Sequence, residues 1–130
     1  MDPIIHIAIA CHDLDDTQDF YNTSLGFKLA RRYHDRVTFD FFGGQLVCHL
    51  SPAKIDPEPN FYPRHFGATF ANRDEFLLFH KMMLERKVPL FVEMSDRFQD
   101  KVERHHFFAI ADPSNNVLEF KCYQDKRMIY

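Results

Sequence analysis

His6-Ile7-Ala8-Ile9-Ala10-Cys11 and, later in the chain, His65-Phe66-Gly67-Ala68-Thr69-Phe70 are two copies of one pattern. Each alternates larger apolar residues with a histidine or small residues, the period-two signature of a strand with one greasy face. The copies keep step beyond the strand. Phe20 lies 14 residues after His6 and Phe79 lies 14 after His65, while Leu25 and Leu84 each follow their histidine by 19. A spacing repeated in this way marks two equivalent supersecondary units.

Working outward, helix signals follow both strands. Asp13 and the acidic residues after it suit the positive end of a helix, and Gly26 is placed to end that helix in a left-handed cap. Asn72, with Glu75 three residues on, opens the second helix, whose buried face is Phe76, Phe79 and Met83; Pro89 blocks its continuation. Three strands are expected after each helix: 27–33, 36–42 and 45–50, then 90–94, 106–111 and 117–123. Pro52, Pro57, Pro59 and Pro63 make 52–63 a connector, because proline cannot donate to a central sheet. The expectation is one α+β domain over 1–130 with two βαβββ modules, about 1–52 and about 64–125. The offset between copies grows from 59 at His6 and His65 to 70 at His49 and Glu119, which places an insertion around Ser95 to His105, read as a polar loop.

Composition narrows the function. A chain of 130 residues with 45% hydrophobic content suits one domain, and a net charge of −3 lacks the basic field that nucleic acid binding requires. No apolar run approaches bilayer length, and the N-terminus shows no basic segment followed by an apolar one, so the expected location is cytoplasmic. Cys11, Cys48 and Cys122 are odd in number and show no CxxC spacing, so they read as reduced, buried hydrophobes. Eight histidines are the unusual feature.

Strand alternation says where four polar residues point. His6 shares its face with Ala8 and Ala10, opposite the isoleucines; His65 goes with Gly67 and Thr69. His49 goes with Val47 and Ser51, and Glu119 with Val117 and Lys121, opposite the faces that carry Cys48 and Phe120. One histidine on a strand is more often a hydrogen-bonded structural residue than a ligand. Two repeat-related pairs of equal parity point instead to a metal site. The donors suit the two-His-one-carboxylate arrangement of non-haem iron, or related sites for zinc, nickel or manganese.

The blocks His6-Ile-Ala-Ile, Phe20-Tyr21-Asn22-Thr23-Ser24-Leu25-Gly26-Phe27, His65-Phe-Gly and Asp112-Pro-Ser-Asn-Asn-Val-Leu-Glu119-Phe resemble the vicinal oxygen chelate superfamily of glyoxalases, extradiol dioxygenases, fosfomycin-resistance enzymes and bleomycin-binding proteins. The resemblance spans essentially the whole chain. It implies paired βαβββ modules forming a cup-shaped mixed sheet with a divalent metal inside, usually in a homodimer. His6, His65 and Glu119 match the superfamily's metal ligands. His49 stands where glyoxalases place a carboxylate, as a fourth ligand or as a catalytic base. Ala109 occupies the position of the extradiol tyrosine acid, and Asn115 replaces a glycine at a left-handed turn position. His105 and His106 read as surface residues. Among Arg31, Arg32, Arg36, Arg97 and Arg104 most are expected to be solvated, with some available for a substrate carboxylate. Phe39, Phe41, Phe61 and Phe107 are expected to line the cup and favour an aromatic substrate. The implied function is a divalent-metal-dependent enzyme, dioxygenase-like or glyoxalase/lyase-like, on a small substrate that chelates through vicinal oxygens. The alternative is a metal-free protein that sequesters a small molecule, of the bleomycin-resistance type.

Overall fold

The structure, a computed structural model, describes residues 2–130. The first module runs β1 (His6–Cys11), α1 (Leu14–Gln18), a π-helical turn (Asp19–Ser24), β2 (Lys28–Arg32), β3 (Arg36–Phe41) and β4 (Gly44–Leu50). The second repeats the order with β5 (Phe66–Thr69), α2 (Arg73–Glu85), β6 (Leu90–Arg97), β7 (His105–Ala111) and β8 (Val117–Tyr123). Each module forms a four-stranded mixed sheet, β1-β4-β3-β2 and β5-β8-β7-β6, in which the first and last strands pair in parallel and the rest antiparallel. The α+β expectation with two βαβββ modules therefore holds. Two compact units result: one runs to Asn60 and includes Asp112–Asn116, and the other comprises Phe61–Ala111 and Val117–Tyr130. Among the described residues no helix is long and apolar enough to cross a membrane.

The first helix differs from expectation. Asp13 caps it, its carboxylate accepting from the Asp16 N–H at 2.8 Å, but α winding stops at Gln18 and the next six residues are π-helical. The wider winding delivers Tyr21, fully buried, against Phe39, with ring centroids 5.3 Å apart. Gly26 follows at φ 85°, as its place after the helix required.

Within this unit, the Tyr21 hydroxyl donates to Asp112 Oδ2 at 2.7 Å. Asp112 also accepts from Asn116 Nδ2 at 2.9 Å and from the backbone N–H groups of Ser114 and Asn116 at 2.8 and 2.9 Å. Asn115 adopts φ 65°, the left-handed turn conformation expected of it. Burial drives the Asp112 carboxyl above its ordinary pKa even though these four donors pull the other way. Burial, with Asp112 beside it, holds the Tyr21 hydroxyl protonated well above its usual range.

In the second unit, Asn72 Oδ1 accepts from the Glu75 N–H at 3.0 Å, and Phe76, Phe79 and Met83 face the sheet as expected. The sheet departs from the sequence reading at β6. Ser95, Asp96 and Arg97 extend that strand and pair with β7, so the connection is 98–104 and not a loop from Ser95 to His105. Two register shifts in β6, between Leu90 and Val92 and between Val92 and Ser95, make room for the extra length. Polarity misled here because the charges of the extension are paired, Asp96 with Arg104 and Arg97 with Glu119. Gly67 is required where it sits: a Cβ built there would overlap the Glu119 carbonyl oxygen of the neighbouring β8.

Three outcomes are expected. Tyr21→Phe should destabilise the fold by about 2 kcal/mol in urea titrations, because it removes a buried charge-assisted hydrogen bond. Gly67→Ala should lower stability by about 2–3 kcal/mol through forced displacement of β8. For Asp112, a raised native pKa means the native state binds the proton more tightly than the unfolded chain. The stability of the wild type relative to Asp112→Asn should therefore fall as pH rises from about 4, near the unfolded carboxylate value, through the native pKa, and then level off.

Candidate functional site

Glu119 sits in β8, between Gly67 of β5 and Ala109 of β7 in register. Both neighbours on its face are small, which leaves room beside a side chain that is itself 5% exposed. Leu118 and Phe120, on either side along the strand, are fully buried against the helix-bearing layer, and alternation sends Glu119 the other way.

His65 immediately precedes β5. Its Nδ1 lies 2.8 Å from the Phe61 carbonyl oxygen and its Nε2 lies 2.9 Å from Glu119 Oε2, with the Phe61 ring 4.8 Å away. A carbonyl can only accept, so Nδ1 carries a proton. Nε2 then faces a carboxylate oxygen. A separation of 2.9 Å is that of a hydrogen bond, with one proton carried by either the imidazole or the carboxyl. Arg97 approaches the other oxygen, Oε1, at 3.5 Å, and its guanidinium lies 3.7 Å from the Phe107 ring centroid and 5.1 Å from that of Phe61. Beside this cluster is a hollow of about 190 Å³ lined by His65, Gly67, Thr69, Glu119 and Lys121.

Arg97 is the residue that sequence reasoning passed over by grouping it with four other arginines. The missed signal was the extension of β6, since Arg97 pairs in register with His105 and so lies on a defined strand face. The others are engaged elsewhere. Arg32 meets Asp15 and Gln18, Arg31 and Arg36 stack on Tyr33, and Arg104 grips Asp96 at 2.7 Å, which holds that carboxyl below its usual range.

His105 is a second correction. It is 4% exposed and not a surface residue. Its Nδ1 contacts the Glu103 carbonyl at 3.0 Å, its Nε2 has no partner, and the rings of Phe98, Phe107 and Tyr123 surround it. His106, on the opposite face, is half-buried and lies 3.7 Å from Asp96.

In the first unit, His6 projects from β1 with Nδ1 2.6 Å from Oε1 of Gln45, its register partner on β4. His49 is exposed, in register with Ala10, and lines a shallow hollow of about 280 Å³ with Ala8, Ser51 and Lys54. It has no hydrogen bond or ion pair among the described residues. Phe39 and Phe41 do not line this face. They are 1% and 5% exposed and pack on Tyr21 and Phe27 in the core, because their parity in β3 matches Val37 and not the open side. Phe61 and Phe107, in contrast, flank Arg97. The three cysteines are free and buried, and burial pushes their thiols up in pKa, which suits packing and not ligation. The pair His65 and Glu119 is thus in contact, while among the described residues no three His, Cys, Asp or Glu side chains form a cluster able to hold an ion.

Known proteins place this architecture. The family model of the Glyoxalase/Bleomycin resistance protein/Dioxygenase superfamily matches residues 4–120. A crystal structure of a glyoxalase/bleomycin resistance protein/dioxygenase from Alicyclobacillus acidocaldarius is 51% identical and superposes with a TM-score of 0.96, covering 99% of this chain and 97% of that one. Glyoxalase domain-containing protein RDO1 of Mycosarcoma maydis is 27% identical over 123 residues, which is 94% of this chain and 69% of that protein. Lactoylglutathione lyase from Agrobacterium tumefaciens, at 18% identity and a TM-score of 0.71, covers 100% of this chain and 98% of its own, and shares the fold. With the family model spanning nearly its whole length, this chain belongs to the glyoxalase/bleomycin resistance protein/dioxygenase superfamily.

Proposed function

We propose that the protein is a cytoplasmic, homodimeric, divalent-metal-dependent enzyme acting on a small substrate that presents two neighbouring oxygens, by dioxygenase-like or glyoxalase/lyase-like chemistry. His6, His65 and Glu119 are the proposed ligands, drawn from one chain or from two. The metal is iron, manganese, nickel or zinc. The observation that supports this most is shared by the two repeat-related histidines. His6 and His65 each have Nδ1 engaged by an oxygen, Gln45 Oε1 in one case and the Phe61 carbonyl in the other, so that Nε2 is the nitrogen each one offers. Orienting contacts of this kind are the usual outer support of metal-binding imidazoles. His65 Nε2 and Glu119 Oε2, 2.9 Å apart, are a nitrogen and a carboxylate oxygen of the kind a divalent ion takes.

When bound, such an ion supplies Lewis acidity toward the paired substrate oxygens. The chain's own residues do the rest. Arg97, stacked on Phe107, uses one nitrogen toward Glu119 and turns its remaining N–H groups to an oxyanion of the substrate. Phe61 provides a flat wall for an aromatic substrate, and Phe107 lies buried beneath Arg97. His49, with no partner of its own, is either a fourth ligand or the base that moves the substrate proton.

One observation favours a second reading. Both oxygens of Glu119 already have cationic or imidazole neighbours, and a pocket satisfied in this way needs no ion to be stable. In that reading the protein sequesters a small molecule. Elemental analysis of anaerobically purified protein separates the two. About one metal per chain, lost in both His65→Ala and Glu119→Ala, is expected from the enzyme; a metal-free protein that takes up no added metal would leave the binding role. Gln45→Leu, which touches the site through His6 Nδ1, should weaken metal affinity about 10–100-fold without lowering the melting temperature.

A further inference from the structure

The second unit carries a larger cavity, about 480 Å³, on the other side of its sheet from Glu119. It opens where the N-terminus of α2 meets β6, β7 and β8. Met94, His106 and Cys122 line it from the helix-packing face of the sheet, the parity opposite to Phe107 and Glu119. Its volume falls within the range of pockets that take small organic ligands.

The walls have a definite chemistry. Leu77 and Met94 make one apolar side, with Phe76 buried beneath them. Arg73 and Lys126 stand at the rim, and neither forms an ion pair with a carboxylate among the described residues. Both favour negative charge inside the cavity by their own charge; burial raises the Cys122 thiol, and Arg73 and Lys126 act against that rise. The end of α2 adds to this. Asn72 Oδ1 takes the Glu75 N–H, while the N–H groups of Arg73 and Asp74 precede any intrahelical acceptor. Asp74 is the one carboxylate in the wall. Asp96, which lies near His106, is neutralised by its paired contacts with Arg104.

We infer that this cavity is a second binding site, specific for small aromatic carboxylates or sulfonates, with the ring between Leu77 and Met94 and the anion between Arg73 and Lys126. Two unpaired cations and a helix N-terminus around an apolar slot select an aryl anion over both a neutral arene and an aliphatic anion. The site does not depend on the chemistry proposed for the other face of the sheet.

Calorimetric titration with 2-naphthoate tests it, with 2-naphthamide as the uncharged match. One naphthoate per chain is expected, with the amide much weaker. The double variant Arg73→Ala/Lys126→Ala, altered at two exposed positions, should weaken naphthoate binding about tenfold or more. Met94→Trp should abolish it by filling the slot, and His65→Ala should leave it unchanged. Absence of naphthoate binding, equal binding of the amide, or loss in His65→Ala with retention in the double variant would each overturn the assignment.

Discussion

The carboxylate of Asp112 is the point on which the first unit closes. Burying a charged oxygen pair in an apolar core is strongly unfavourable, and here four donors offset it: the Tyr21 hydroxyl, the Asn116 amide and two turn N–H groups. The same turn spends its remaining polar groups nearby. Asn116 Nδ2 also reaches the Ala10 carbonyl of β1 at 2.8 Å, Asn115 reaches the Asp56 carbonyl at 2.8 Å, and Ser114 Oγ receives the His12 N–H at 3.0 Å. The two sequence blocks most characteristic of the superfamily, around Tyr21 and around Asp112, are the two ends of one hydrogen bond. They report on the fold and say little about the reaction.

β8 leads from that turn to the candidate site. From the turn the chain passes through Val117 and Leu118, both buried, and Glu119 is the first residue whose parity and small neighbours give it an open side. What surrounds it is a compact set of charges with aromatic support: His65 on one oxygen, Arg97 on the other, and Phe61 and Phe107 backing the guanidinium. Arg97 occupies this place because β6 runs three residues further than its polar composition suggested.

The sequence made part of the strand faces legible, through alternation with period two. Glu119 points away from Leu118 and Phe120 as that alternation requires, His65 stands just before β5 and not within it, and the capping roles of Asp13 and Asn72 and the turn role of Asn115 follow from side-chain chemistry alone. Helical geometry was less legible. Equal spacing made Leu25 and Leu84 counterparts, yet Leu25 is 2% exposed and Leu84 is 51% exposed. Equal residue counts traverse different angles when one copy is π-wound and the other α-wound. Cross-strand pairs hid the other features. The burial of His105 and the stacking of Arg97 depend on β6 and β7 being in register, which no single segment reveals.

The contact between Gly67 and the backbone of Glu119 bears on how this scaffold can diversify. Where a main chain runs against another with no space for a methyl group, the geometry of the neighbouring strand is fixed independently of what its side chains do. Side chains beside it can be exchanged while the peptide path beneath them stays still. Divergence of reaction without divergence of shape is then the natural course for the lineage, and position 67 is where a designer would leave the chain alone.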